Sequence, residues 1–217
     1  MHPYSLINNE KSRIRTTWIL CILTLCVFNF LESKGLINFI QELEKSIDLL
    51  SFLSKYGVVT LIITPLLIFL FFYTLFEKML WKIPLVMKWT GVPDISGKYI
   101  GVLYSSYQGG KQLPIELTIE QNFSKIEFIS TFTETNSESN SKMGALMKCD
   151  EHRVEFIFAY ANESKDFNIE SQAHEGMNTL YFDLNKGSIE GKYFTNRGII
   201  PNKGTMELEK VDSVHKP

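Results

Sequence analysis

Hydrophobic residues form long uninterrupted runs in the first third of the chain. From Tyr56 to Phe76 the sequence has 21 consecutive uncharged residues, and from Thr16 to Leu31 it has 16. A helix needs about 20 apolar residues to cross about 30 Å of hydrocarbon. The first run could also be a signal peptide, but no small-x-small cleavage pattern follows it. The pattern predicts two transmembrane α-helices, at about residues 16–32 and 56–76, in a membrane domain covering residues 1–88.

The segment between the two runs has a different, helical spacing. Charged residues occupy positions between its apolar residues. The apolar residues recur at intervals of three and four and are Leu36, Ile40, Leu43, Ile47 and Leu50. This spacing predicts an amphipathic helix over residues 36–53. Lysine and arginine are more concentrated before the first span and after the second than in this loop, which places both termini in the cytoplasm.

After Asp94 the helical spacing gives way to alternation of apolar and polar residues. Ile115, Leu117 and Ile119, for example, alternate with polar neighbours, and polar or glycine-containing turns separate the segments. Eight or nine such segments leave no room for crossover helices, so neighbouring strands should be antiparallel. We expect an all-β antiparallel domain over residues 94–211, closed as a barrel of about eight strands whose interior holds side chains or one small ligand.

Alternation also predicts where an arginine of the penultimate strand points. Arg197 is in phase with Ile189, Gly191, Tyr193 and Thr195, so it should point into the barrel or cap its mouth. A guanidinium there needs a partner, because an unpaired buried charge is costly. That partner is either a buried acid or backbone carbonyls of the protein, or an anionic ligand such as phosphate, which matches the planar donor fork.

Two strands carry a similar glycine–lysine–tyrosine sequence, GKYIG at Gly97–Gly101 and GKYFT at Gly191–Thr195. In a closed barrel the first and last strands are adjacent, so Tyr99 and Tyr193 are expected to lie close together. Aromatic faces stack on bases for about 1–3 kcal/mol each. The alternative is two core aromatics, with the glycines relieving strand coiling.

Charge and motif content exclude several classes of function. Residues 1–88 carry a net charge of +3 and the remainder −5, so the downstream domain lacks the basic surface that binds nucleic-acid polymers. The four histidines have no metal-ligand spacing, and no nucleophile elbow or phosphate loop occurs. The sequence therefore predicts a protein that is not an enzyme and needs no cofactor or metal.

The whole layout resembles the two-transmembrane β-barrel effectors of the CBASS anti-phage systems. The resemblance rests on two amino-terminal spans, a Trp/Pro linker, and the sequences DISGKYIG at Asp94–Gly101 and GKYFTNRG at Gly191–Gly198. In that family the barrel is similar to a compressed lipocalin and binds a cyclic oligonucleotide made by a neighbouring cyclase after infection. Binding drives assembly of the membrane segments, which breach the bacterial inner membrane and kill the infected cell.

The resemblance implies a cyclic dinucleotide or trinucleotide ligand, a homo-oligomer in the bilayer, and a functional link to a cyclic-nucleotide synthase. Tyrosines would stack on bases, while Arg197 and Lys203 would meet phosphates. Two other hypotheses stay open: a membrane-tethered, lipocalin-like carrier of an apolar ligand, and a non-catalytic anchor or scaffold with a packed interior. The residues that match a ligand pocket are Tyr99, Tyr193, Thr195, Asn196, Arg197, Asn202 and Lys203.

Overall fold

The computed structural model describes residues 1–7, 9–35, 59–106, 110–132, 137–164, 174–196 and 201–211. The chain forms two compact units, a helical one over Lys11–Val86 and a β unit that combines Met1–Glu10 with Met87–Pro217. The amphipathic helix predicted over residues 36–53 lies outside the described residues.

Among its described residues, the helical unit has two long helices in contact, α1 over Lys11–Ser33 and α2 over Val59–Lys78. The buried side chains of α1 are Ser12, Thr16, Leu20 and Thr24, which share one face because they lie four residues apart. Within the described residues, one helix, α1, is long and apolar enough to cross a membrane. The prediction of a second span therefore stays a prediction. A 3-10 turn at Leu80–Lys82 and a short helix, α3, at Pro84–Thr90 follow α2.

In the part of the chain that the structure describes, nine strands form a closed barrel, hydrogen-bonded in the order β1-β4-β3-β2-β9-β8-β7-β6-β5, with β5 returning to β1. The eight strands of the downstream domain pair antiparallel with one another, as their alternation predicted. The strands are β1 His2–Ile7, β2 Gly97–Ser105, β3 Lys111–Gln121, β4 Lys125–Phe132, β5 Ser137–Lys148, β6 Arg153–Ser164, β7 His174–Asp183, β8 Ser188–Thr195 and β9 Asn202–Lys210.

The remaining strand, β1, comes from the amino terminus and was not predicted from the sequence. It fills the fork where β4 and β5 diverge: His2 pairs antiparallel with Ile126, and residues 4–7 pair in parallel with residues 144–147. The sheet is therefore not wholly antiparallel. Residues 1–10, which the sequence analysis placed in the membrane domain, belong to the β unit.

Side chains hold β1 firmly in this fork. Tyr4 is 2% exposed, and its hydroxyl donates a hydrogen bond to the carbonyl oxygen of Phe123 at 2.9 Å. The terminal ammonium of Met1 forms an ion pair with Glu127 at 2.9 Å, and His2 Nε2 lies 2.7 Å from Ser141 Oγ. The amino terminus is thus fixed in the barrel by burial and by polar contacts together.

The interior of the barrel is apolar over most of its length. Phe128 and Phe158 stack with ring centroids 4.4 Å apart, and Phe156 packs beside both. These rings alternate with outward-facing residues because successive side chains of a strand point to opposite faces. Most of the buried polar side chains of the barrel lie at one end, whereas Gln121 is buried and hydrogen-bonded to Ile95 and Pro93 at the other.

Candidate ligand-binding site

Buried polar side chains gather at one end of the barrel, which we call the polar end. Strands β2, β4, β6 and β8 finish there, and β5 and β7 begin there, so residues far apart in sequence meet. Residues 107–109, 133–136, 165–173 and 197–200, which connect the strands at this end, lie outside the described residues. The buried polar side chains are Ser105, Ser130, Ser139, Ser141, Asn162, Asn178 and Thr195.

Strand register arranges this end in three inward-facing rows of residues. The apolar row beneath them, which includes Leu180 and Phe156, marks the start of the hydrophobic interior. The lowest polar row is therefore the floor of the site. It runs through Ser105, Gly204, Tyr193, Asn178 and Phe158. The next row towards the end runs through Asn202, Thr195, Gly176, Tyr160 and Ser141, and the third runs through His174, Asn162, Ser139 and Ser130.

Two tyrosine rings lie flat along the wall because the residue beside each is glycine. The Tyr193 hydroxyl donates to Ser105 Oγ at 2.7 Å across Gly204, where an added Cβ would stand 2.6 Å from the ring. Tyr160 crosses Gly176 in the same way, with 2.6 Å between such a Cβ and its hydroxyl. The wall thus presents flat aromatic faces next to hydroxyl groups.

The two buried asparagines of this site differ in their hydrogen bonding. Asn162 Nδ2 donates to Ser139 Oγ at 2.8 Å. Asn178 is 7% exposed, and its Oδ1 is buried without a hydrogen-bond partner among the described residues. Because buried amides are nearly always paired, Asn178 stands out at this site.

Three of the predicted residues face the interior at the polar end, namely Tyr193, Thr195 and Asn202. Asn196 is exposed and bonded to β7, since its Oδ1 accepts a hydrogen bond from the backbone N–H of Glu175 at 3.0 Å. Lys203 is also exposed on the outer face of β9 at this end. Arg197 lies outside the described residues.

Tyr99 lies at the opposite end of the barrel, so the expectation that it neighbours Tyr193 is not met. Strand β2 pairs with β9, whereas Tyr193 belongs to β8 and reaches β2 at Ser105, near the other end of that strand. Tyr99 is 3% exposed, and its hydroxyl donates to the carbonyl oxygen of Ile95 at 3.1 Å. This environment agrees with the alternative of a core aromatic.

Sequence reasoning missed Ser105, Tyr160, Asn162 and Asn178. Each is in the inward phase of its strand, and Asn162 and Asn178 interrupt apolar alternation near a strand end. A polar residue in the apolar phase was therefore the available signal. Recognising that these residues share one end required the strand pairing.

Burial leaves two tyrosines hard to ionise. Desolvation raises the pKa of Tyr99 and that of Tyr160 to about 12, with the Asp94 charge adding to the effect at Tyr99 and a Thr195 hydrogen bond opposing it at Tyr160. Folding favours the neutral hydroxyl, so each tyrosine contributes to the stability of the folded protein. This contribution is fully present below pH 10 and is lost as the pH rises through about 12. Tyrosinate absorbance should show late titration that Tyr99→Phe and Tyr160→Phe each reduce. Complete titration near pH 10 in the folded protein would contradict this.

No group of three histidine, cysteine, aspartate or glutamate side chains in the described ranges is placed to hold a metal ion. The expectation of a protein without metal or catalysis stays a prediction.

Comparison with known proteins matches the barrel to a receptor family. Residues 90–210, which contain every strand from β2 to β9, match the family described as "Cap15, cyclic dinucleotide receptor domain". The chain is 27% identical over 184 residues to "CD-NTase-associated protein 15" of Escherichia albertii, covering 72% of this chain and 93% of that protein. A protein of the same name from Yersinia aleksiciae is 26% identical over 145 residues, 67% of this chain and 68% of that one. The chain therefore belongs to the Cap15 cyclic dinucleotide receptor family, which supports a role as a CBASS effector.

Proposed function

We propose that the protein is an anti-phage effector whose barrel binds a cyclic dinucleotide at the polar end, and whose helices then assemble and disrupt the inner membrane. The polar end carries this proposal, because it sets hydrogen-bonding groups and flat aromatic rings inside a barrel that is otherwise apolar. It does so within a domain of a cyclic dinucleotide receptor family.

The polar end has the chemistry to hold a nucleotide. The rings of Tyr193 and Tyr160 offer stacking surfaces for bases, a contact worth about 1–3 kcal/mol per base. Hydroxyls and amides of the three polar rows match the edges of bases and the ribose. Phosphates would be met by Arg197, the second residue after the end of β8, whereas Lys203 is exposed on the outer face of β9.

The helical unit supports the membrane part of the proposal. Large apolar side chains of both helices are exposed, including Trp18 at 66%, Ile22 at 59% and Phe71 at 63%. Contiguous apolar surface of this kind is typical of segments covered by lipid or by other helices. A ligand that binds the assembled state more tightly than the separate chain shifts the population towards assembly.

The test uses the full chain in detergent micelles and a panel of cyclic dinucleotides and trinucleotides. Binding should raise the melting temperature, since a ligand at a hundredfold excess over its Kd stabilises by about 2.7 kcal/mol. Sedimentation should then show growth in particle size, and dye-loaded liposomes carrying the protein should leak. Failure of every nucleotide to bind would remove the proposal, and an extractable lipid in the purified protein would favour the carrier alternative.

Arg197→Ala is expected to weaken ligand binding about tenfold to a hundredfold, because a charge-assisted pair with phosphate is lost. Arg153→Ala is the matched control, since that side chain is exposed at the end of the barrel opposite the polar end. Calorimetry gives both affinities. An Arg197→Ala protein that no longer folds would instead favour the internal ion-pair alternative.

A further inference from the structure

Asn178 is a buried polar residue without a function inside the folded chain. Its Oδ1 is fully buried and forms no hydrogen bond with the described residues. A buried unpaired amide lowers stability, whereas an apolar residue of similar shape would not. Asn162, one strand away, has its amide bonded to Ser139, so a paired amide is attainable at this end.

The surroundings of Asn178 suit the edge of a base. It lies on the floor of the polar end between Phe158 on β6 and Tyr193 on β8, its direct cross-strand neighbours. Tyr193 is held flat by its bond to Ser105. A base stacked on the Tyr160 ring, which crosses Gly176 on β7, would bring its edge towards Asn178, two residues further along the same strand.

An amide presents one donor and one acceptor side by side. It can therefore form two parallel hydrogen bonds with a base edge that offers an N–H next to an acceptor, as adenine does at N6 and N7. A carboxylate of the same shape offers two acceptors and matches two adjacent N–H groups, as guanine presents at N1 and N2.

We infer that Asn178 is the base-reading residue of this site and that it pairs with an adenine-type edge of the ligand. This inference rests on the proposed function, because it needs a nucleotide at the polar end. Asn178 determines which base is preferred, while the stacking rings contribute affinity for any base.

The polarity swap Asn178→Asp tests the inference in the full chain. Binding of cyclic di-AMP and cyclic di-GMP is measured by calorimetry, and the ratio of the two affinities is compared with that of the unaltered protein. The affinity for cyclic di-AMP divided by the affinity for cyclic di-GMP should fall about tenfold to a hundredfold, the range for one bidentate base contact. Asn185→Asp adds the same charge to an exposed turn at the opposite end and should leave the ratio unchanged.

The outcomes separate the two proposals. If the unaltered protein binds no cyclic dinucleotide, the proposed function fails and this inference falls with it. If it binds but Asn178→Asp leaves the ratio unchanged, the receptor function stands and Asn178 does not read the base.

If Asn178→Asp does not fold, Asn178→Leu replaces it as the test. That variant should melt no lower than the unaltered protein and should lose affinity for cyclic di-AMP by about tenfold or more. Undiminished affinity would overturn the inference.

Discussion

Replacing Tyr4 with alanine is expected to lower the free energy of unfolding of the β unit by about 3–5 kcal/mol, the usual cost of removing a fully buried aromatic side chain. Its ring packs against Phe156 at 6.0 Å between centroids, and its hydroxyl bonds the carbonyl oxygen of Phe123. The substitution leaves a cavity and an unpaired carbonyl at the fork that β1 fills.

Chemical unfolding followed by fluorescence gives the size of this effect, and hydrogen exchange gives its location. Protection should fall at residues 144–147, which pair with β1, and persist at residues 129–132, which pair directly with β5. Tyr4→Phe is the control and should cost less, about 1–2 kcal/mol, since it removes the hydrogen bonds of the hydroxyl with Phe123, Asn122 and Gln121 and keeps the ring. Equal stability of the alanine variant and the unaltered protein would mean that β1 does not support the barrel.

The second large effect, a loss of both stability and ligand affinity, is expected when Gly204 is replaced by alanine. A Cβ there would lie 2.0 Å from the carbonyl oxygen of Tyr104 and 2.6 Å from the ring of Tyr193. Gly204→Ala must therefore separate β9 from β2 and push the ring off the wall. Overpacking of this kind costs about 1–3 kcal/mol, and the stacking surface for the ligand is lost as well.

Thermal unfolding and calorimetry with a bound cyclic dinucleotide measure both effects of Gly204→Ala. Thr205→Ala is the matched control, because Thr205 is the next residue of β9 and its side chain is exposed on the outer face. The control should bind normally. A Gly204→Ala protein with unchanged melting and affinity would show that Tyr193 is not held in place by the glycine.

The β domain was predictable because alternation is a local property of each strand. Tyr193 and Thr195 were placed correctly in the inward phase from their spacing with Gly191. Which end of the barrel a residue occupies depends instead on register, and register is set by pairings between distant segments. This is why Tyr99 was grouped with Tyr193, although β2 presents Ser105 to that tyrosine.

The first strand was not predictable for a related reason. Its six residues contain two buried apolar side chains, Tyr4 and Leu6, and they directly precede a long apolar helix. So short an alternation of apolar and polar residues occurs often by chance. The residue that pairs with Tyr4, Gly144, lies in the other half of the sequence. These residues form a strand because they pair with β4 and β5 where those two strands diverge.

The position of β1 changes how the helical unit is classified. The chain leaves the barrel after β1 and returns before β2, and Asn9 bonds the carbonyl oxygen of Thr90, so exit and entry are neighbours. Residues 11–86 are therefore an insertion into a single discontinuous domain, rather than a separate module joined to the receptor by one linker. A fragment that starts at Asp94 lacks one of the nine strands and exposes the unpaired edges of β4 and β5, whereas a short bridge from residue 10 to residue 90 would retain the complete barrel.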